Sequence, residues 1–197
     1  AKVMTDTQRS DVLISGGGLV GQTLALALAH HGLSGVVVDP ADPRATIAPG
    51  FDGRASAIAS ATWQMFEVLG LADRLAGHGC PIRAIKVSDG GQAGELDFET
   101  SESDPALGTM IENRQLRIAL RDAMIDAGIN FKFGILPARI DKAEGSLKVT
   151  LNNGATLEVD QVMLATGRIP NTKGLGLEKV GVSLDAIGAV KVDEYSQ

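Results

Sequence analysis

Several residue types are scarce in this sequence, and each scarcity argues against a class of function. The single cysteine, Cys80, has no partner for an internal disulfide or a C-x-x-C redox pair, which favours a reducing, cytoplasmic location. Aromatic residues make up only 4% of the chain, too few to favour a surface on which nucleic-acid bases stack. The net charge of −6 also opposes binding to nucleic acid or to an anionic membrane surface.

Long apolar runs and metal-ligand patterns are scarce as well. No stretch approaches the length that crosses a bilayer, so we expect no transmembrane segment. Residues 1–10 are too polar for a signal peptide, and we interpret them as a frayed leader. The sequence around His30, His31 and His78 contains no pattern of metal ligands, so no metal site is predicted.

Residues 11–39 contain a complete βαβ pattern organised around glycines. An apolar run over residues 11–15 predicts a buried strand, and residues 16–21, GGGLVG, follow it with the spacing G-x-G-x-x-G. A second apolar run over residues 19–28 predicts a helix that Gly32 can end. A further strand over residues 35–38 then finishes on an acid, Asp39. Strand, glycine turn, helix, strand and acid are the full context of a dinucleotide-binding unit.

Each position of the glycine turn has a physical role in such a unit. Gly16 permits the tight turn out of the strand, Gly18 lets a pyrophosphate lie against the backbone, and Gly21 lets the helix pack close to the strand. The helix opens at Leu19 and Val20, where unpaired N–H groups and a partial positive charge favour phosphate. The alternative is a glycine-rich turn that serves packing alone.

Asp39 is predicted to accept hydrogen bonds from an adenosine ribose, with Pro40 directly after it. Its charge would repel a 2′-phosphate. This pattern does not distinguish FAD from NAD. Arg54 follows a proline-rich loop over residues 40–51 and precedes a helix predicted over residues 55–69, so its guanidinium could bind the pyrophosphate. An exposed loop arginine is the alternative.

The remaining pattern predicts an α/β architecture. We expect a small antiparallel meander from residues 81–89, a turn at Gly90 and Gly91, and extended pieces over residues 94–100 and 106–112. A helix over residues 113–127, a parallel strand over 129–133, a hairpin over 146–151 and 155–159, and a buried strand over 160–165 follow. Thr166 and Gly167 come directly after that last strand, where backbone could approach a nucleotide, although a plain strand-ending turn fits equally well. Residues 174–197 are predicted to be loop with short extended pieces.

The predicted fold is a doubly wound, Rossmann-like FAD/NAD(P)-binding fold with a small antiparallel β meander, in one domain over residues 1–197.

Residues 11–134 resemble the FAD-dependent aromatic hydroxylases of ubiquinone biosynthesis. The matching stretches, in the same order, are DVLISGGGLVGQTLALAL, DGRASAIASATWQMFEVLGL, IKVSDGGQAGELDF and ALGTMIENRQLRIAL. The resemblance implies FAD rather than NAD at the glycine turn, with Asp39 on the adenosine ribose and Arg54 beside the cofactor. It also implies that Asn113 and Arg114 lie near the cofactor at the start of a helix.

Residues 146–197 resemble a different family, glutathione reductase and its pyridine nucleotide-disulfide relatives. The matching stretches are SLKVTLNNGATLEVDQVMLATGRIPNTKGLGLEKVGV and GAVKVDEYSQ. Two resemblances in one chain suggest a chimera of two flavoprotein fragments, and a divergent natural protein is the alternative.

Three functional hypotheses follow. The first is the FAD-binding module of an aromatic-ring monooxygenase, incomplete for catalysis because the later Gly-Asp flavin segment and the substrate domain of those hydroxylases are not in the sequence. The second is an engineered chimeric scaffold that folds without cofactor and holds only an adenine nucleotide. The third is an NAD-binding dehydrogenase domain. An open sheet edge would also allow a homodimer.

Overall fold

A computed structural model describes residues 8–50, 53–90 and 94–196 of the chain. They form two compact units, with the boundary between Ala165 and Thr166. The predicted single domain over residues 1–197 stays a prediction. Residues 1–7 of the expected leader, Phe51 at the end of the proline-rich loop with Asp52 after it, and Gly91 of the expected turn lie outside the described residues.

The first unit begins with alternating strands and helices and continues with runs of consecutive strands. In chain order its elements are β1 Gln8–Ser15, α1 Leu19–His30, β2 Gly35–Asp39, α2 Pro43–Thr46, β3 Ala55–Ala59, α3 Ser60–Val68, β4 Gly79–Ile82, β5 Ala84–Ser88, β6 Glu95–Glu99, β7 Gly108–Glu112, α4 Asn113–Asp126, β8 Asn130–Phe133, β9 Pro137–Ala143, β10 Ser146–Leu151 and β11 Thr156–Leu164.

A six-stranded mixed sheet is the centre of this unit. Its strand order is β8-β2-β1-β11-β10-β9; the first four strands run parallel to one another, β10 pairs antiparallel with β11, and β9 pairs antiparallel with β10. Leu13 and Ile14 of β1 are fully buried and point to opposite faces of the sheet, as alternation along a strand requires. The glycine turn therefore leaves the sheet at the carboxyl end of a central strand, which confirms the predicted fold.

Each face of the sheet has its own apolar cluster. On one face, Ile14 and Val37 pack with Ala25 of α1 and Met124 of α4. On the other, the cluster joins the parallel strands to the antiparallel arm, through Leu13, Val36, Val38, Val149, Leu151, Leu157 and Val159. A third cluster binds α1, α3 and α4 to one another, with Leu26, Phe66, Leu116 and Leu120 among its buried members. Packing on the first face, together with the contacts among the helices, holds α1 and α4 against the sheet.

Residues 55–59 are a strand, β3, and not the start of a helix as their alanine-rich sequence predicts. All five pair with β7 in antiparallel register, from Ala55 opposite Glu112 to Ala59 opposite Gly108. A Cβ on Gly108 would lie 2.7 Å from the carbonyl oxygen of Ile58, so the missing side chain permits this pairing. Sheet pairing here overrides helix propensity, and α3 begins only at Ser60.

The predicted meander is confirmed in its first hairpin, because β5 pairs with β6, and wrong in its third strand, because β7 pairs with β3 and β4 instead. Strands β3, β7 and β4 form one sheet, whereas β5 and β6 form a separate hairpin. The strand predicted over residues 81–89 divides at Arg83, whose Nη1 donates hydrogen bonds to the carbonyls of Ser101 and Asp104. That anchor ties the loop before β7 to the break between β4 and β5.

Three other boundaries differ from expectation. Residues 8–10, expected in a frayed leader, belong to β1 because they pair with β11 from Leu157 to Val159. The hairpin arm and the strand that follows it are one continuous β11, and β9 was not predicted. The C-terminal part of β11 is not buried as predicted: Met163 is 47% and Leu164 is 66% exposed, because the pairing with β10 stops at Val159.

The second unit contains little regular structure, as predicted. A short 3₁₀ turn spans Leu177–Val180, and a single β-bridge joins Leu184 to Val190. The hydroxyl of Thr172 donates a hydrogen bond to the carbonyl of Gly188. Among the described residues of both units, no helix is long and apolar enough to cross a membrane.

Asp11 and Ser34 form a reciprocal link between β1 and the residues before β2. Asp11 Oδ2 accepts hydrogen bonds from the backbone N–H and from the hydroxyl of Ser34, both at 2.6 Å. The hydroxyl contact is the main reason that the pKa of Asp11 is lowered. Because the folded pKa is lowered, the link stabilises the fold at neutral pH, and this contribution is lost as the pH falls through the folded pKa.

We predict that Ser34→Ala raises the pKa of Asp11 toward its ordinary value and shifts the onset of acid unfolding to higher pH. NMR titration of the side-chain carboxyl carbons measures the first effect. Asp42 is the internal control, because its pKa is lowered by Arg44 rather than by Ser34. An unchanged Asp11 pKa in the variant would refute the assignment.

Candidate nucleotide-binding site

The glycine turn leaves β1 in a conformation that only glycine adopts easily. Gly16 has a φ of +114°, and its N–H donates a hydrogen bond of 2.8 Å to the carbonyl of Val38 in β2. Ala165, at the end of β11, donates a 2.7 Å bond to the carbonyl of Ser15. The carboxyl ends of β1, β2 and β11 therefore lie side by side, which is where open α/β sheets bind ligands.

Three glycines of the turn meet three different surroundings. A Cβ on Gly21 would lie 1.9 Å from the carbonyl oxygen of Gly16, so α1 packs against β1 at a distance that no other residue allows. A Cβ on Gly17 would lie 2.2 Å from the ring of Phe131. A Cβ on Gly18 would meet nothing within 4 Å. Space is therefore closed behind Gly17 and Gly21 and open in front of Gly18.

The opening of α1 faces that open side. Gly18 is its N-cap, with extended backbone and no side chain to cap the first turn, and the first turn carries no acid. Val20 is 77% exposed although it belongs to an apolar helix. The first N–H groups of a helix have no partner within it, so this end offers donors and positive potential to an anion.

The carboxylate of Asp39 closes the turn from the side of β2. Its Oδ2 accepts a hydrogen bond from the N–H of Gly17, and its Oδ1 accepts one of 2.7 Å from the N–H of Ala41. A carboxylate oxygen can accept more than one hydrogen bond. Asp39 is half-buried and thus retains acceptor capacity while its orientation is fixed by the backbone.

A small cavity of about 30 Å³ lies beneath the turn. Its walls include Gly17 and Asp39 together with residues that the sequence analysis did not identify: Gln22, Arg117, Arg121, Phe131 and Phe133. The two phenylalanine rings stack with their centroids 4.1 Å apart. The sequence contained a signal for the arginines, since Arg114, Arg117 and Arg121 recur at the spacing of one helix face.

Arg54, Asn113 and Arg114 come together at the N-terminal end of α4. The N–H of Asn113 donates to the carbonyl of Arg54, and the amide oxygen of Asn113 accepts a 2.6 Å bond from the hydroxyl of Ser56. Arg114 Nε donates to the carbonyls of Ile47 and Ala48 and so holds the loop that follows β2. These contacts position the loop and the helix start; cofactor contacts by these side chains stay a prediction.

The other predicted residues lie at the edges of this corner or in the second unit. Pro40 is exposed and borders an open hollow of about 530 Å³ with Asp42, Arg44, Arg121, Phe133 and Gly134. Thr166 and Gly167 open the second unit, and Gly167 has a φ of +88°. Their contact with a nucleotide stays a prediction. Within the described ranges, no group of three or more His, Cys, Asp or Glu residues could hold a metal ion.

Comparison with known proteins supports both sequence resemblances. The chain is 40% identical over 184 residues to the ubiquinone hydroxylase UbiL of Rhodospirillum rubrum, covering 90% of this chain and 42% of that protein. Residues 102–197 match the family model described as pyridine nucleotide-disulphide oxidoreductase. The chain is also 49% identical over 83 residues to the glutathione reductase of Burkholderia cepacia, covering 42% of this chain and 18% of that protein.

Solved structures agree on the fold at low sequence identity. The probable FAD-dependent monooxygenase PqsL from Pseudomonas aeruginosa has a TM-score of 0.65 at 21% identity, over 90% of this chain and 47% of that one. The flavin-dependent monooxygenase PieE, solved with FAD and substrate, has a TM-score of 0.61 at 23% identity, over 90% and 33% of the two chains.

The two sequence resemblances overlap. Because the match to UbiL takes in 90% of the chain, it extends well beyond Gly134 into the segment that also resembles glutathione reductase. The chain spans less than half the length of these curated relatives. Over most of its length it is similar to a ubiquinone hydroxylase, and over its C-terminal half to the pyridine nucleotide-disulphide oxidoreductases.

Proposed function

We propose that this chain is the FAD-binding module of a flavin-dependent oxidoreductase of the aromatic-ring monooxygenase type. The observation that carries the proposal is the opening of α1: an uncapped helix end at Gly18, with open space before it. A carboxylate that the backbone already orients, Asp39, stands at the end of the neighbouring strand. Diphosphate suits the first feature and a ribose diol suits the second.

The residues present fit the adenosine diphosphate half of FAD. The backbone of Gly18, Leu19 and Val20 would bind the diphosphate, and Asp39 would accept from the ribose hydroxyls. Gly16 and Gly21 would serve by shape, since they set the turn and the approach of α1 to β1. Pro40, Arg54, Asn113, Arg114, Thr166 and Gly167 are proposed as further cofactor contacts.

The bound flavin would supply hydride and oxygen chemistry, while the protein supplies binding and orientation. For this 197-residue chain alone we expect binding of the cofactor with little or no hydroxylation. The match covers 42% of UbiL, so hydroxylation of an aromatic ring is proposed for the whole protein of which such a module is part. A cytoplasmic location and a homodimer are proposals too; the single cysteine supports the former, and the unpaired edge of β9 the latter.

A second function, a scaffold that folds without cofactor, is favoured by a specific observation. The protein's own groups hold the turn, because the Asp39 carboxylate accepts a hydrogen bond from the N–H of Gly17 and the Val38 carbonyl accepts one from the N–H of Gly16. The corner is therefore formed before any ligand binds. Such a scaffold would bind only the adenosine diphosphate portion of the cofactor.

Titration with FAD, ADP and NADH separates these functions. Under the main proposal FAD binds more tightly than ADP and NADH, because contacts beyond the diphosphate add to its affinity. The measurement is quenching of flavin fluorescence, with calorimetry for ADP and NADH. Equal affinity for FAD and ADP would favour the scaffold, and preference for NADH would favour a dehydrogenase domain.

Gly18→Val and Gly21→Val form a matched pair that separates binding from folding. Valine at 18 meets open space at a φ of −72° but is a poorer N-cap than glycine, so we expect stability to fall by only about 0.5–1 kcal/mol. The side chain would cover the helix opening, and losing two charge-assisted hydrogen bonds of about 1.5 kcal/mol each weakens ADP binding roughly a hundredfold. Valine at 21 clashes with Gly16 and should cost about 1–3 kcal/mol or more of stability.

Thermal unfolding and ADP titration of both variants measure these effects. Unchanged ADP affinity in Gly18→Val would contradict the proposed site. An unchanged unfolding temperature in Gly21→Val would contradict the close packing of α1 on β1.

A further inference from the structure

Gln22, in the first turns of α1, is a buried side chain with half of its amide unsatisfied. It is 7% exposed, and its Nε2 donates a 2.6 Å hydrogen bond to the carbonyl of Gly17. Its Oε1 has no hydrogen-bond partner among the described residues. No motif in the sequence marks this residue, which lies in a mainly apolar helix.

The orientation of this amide is fixed by its neighbour. A carbonyl oxygen only accepts hydrogen bonds, so the nitrogen of the Gln22 amide must face Gly17 and the oxygen must face away. A buried acceptor without a donor costs about 1–3 kcal/mol. Oε1 therefore requires a donor from the far side of the side chain.

The cavity beneath the turn lies against Gln22. Its volume of about 30 Å³ is enough for one water molecule and far below that of a ribose or nucleotide pocket. Asp39, Arg117 and Arg121 line the cavity, and their side chains carry the partners that a buried water needs: a carboxylate acceptor and two guanidinium donors. Within the described part of the chain, the Arg121 side chain makes no hydrogen bond or ion pair with another residue.

We propose that this cavity binds a single ordered water that donates a hydrogen bond to Gln22 Oε1. The water's second hydrogen is donated to Asp39, and its oxygen accepts from an arginine of α4. The site joins α1, β2 and α4 directly under the glycine turn. Gln22 is thus a positioning residue that acts on Asp39 through the water, and its importance for nucleotide affinity rests on the proposed function.

A crystal structure of the nucleotide-free chain, at a resolution that places ordered water, tests the site without any variant. The expected result is one water within hydrogen-bond distance of Gln22 Oε1 and of at least one of Asp39, Arg117 and Arg121. A dry cavity would overturn the proposal. A guanidinium nitrogen bound directly to Oε1 would overturn it as well.

Amide hydrogen exchange of Ala41 tests the coupling to Asp39. The N–H of Ala41 donates to Asp39 Oδ1, so its exchange reports on how firmly that carboxylate is held. In Gln22→Met, which keeps the length of the side chain, we expect this amide to exchange roughly threefold to tenfold faster, as befits the loss of about 1 kcal/mol of support.

Thr23→Val is the control, because the hydroxyl of Thr23 bonds only to its own helix at Leu19. It should leave the exchange of Ala41 unchanged. Unchanged exchange in Gln22→Met would sink the coupling. Neither measurement involves FAD, so failure of this proposal and failure of the proposed function are distinguishable.

Discussion

The approach of α1 to β1 is the constraint on which the candidate site depends. The carbonyl oxygen of Gly16 occupies the space that a Cβ at residue 21 would need. With that contact made, Ile14 and Ala25 pack in one cluster, and the opening of the helix is fixed over the carboxyl edge of the sheet. If α1 lay further from β1, its first N–H groups would no longer lie beside Asp39 at the end of β2.

Polar contacts then turn this steric arrangement into a defined corner. Asp39 accepts hydrogen bonds from two backbone amides, Gly17 of the glycine turn and Ala41 two residues along the chain. The protein's own backbone therefore orients the carboxylate. Arg114 likewise fixes the loop after α2, because its Nε donates hydrogen bonds to the carbonyls of Ile47 and Ala48. Preorganisation of this kind lowers the cost of binding, because little is left to be ordered when a nucleotide arrives.

The sequence predicted best where local pattern and global fold agree. Residues 11–39 carry glycine spacing, apolar periodicity and a terminal acid that all indicate one βαβ unit, and that unit is present from β1 to β2. Prediction failed where pairing across the chain decides the structure. Ala55 and its neighbours have helical propensity but form β3, since β7 pairs with them from about fifty residues away. The cavity under the turn was also missed, because Gln22, Arg121 and Phe131 come from three separate elements that only the fold brings together.

The central claim is that the first amides of α1 bind the diphosphate of an adenine nucleotide. NMR chemical-shift mapping of the nitrogen-labelled chain during titration with ADP tests this claim most directly. The account predicts that the largest shifts occur at the amides of Gly18, Leu19 and Val20, with smaller ones at Gly17 and Ala41 beside Asp39. Saturable binding of ADP with the largest shifts elsewhere, or no shifts at the opening of α1, would contradict it.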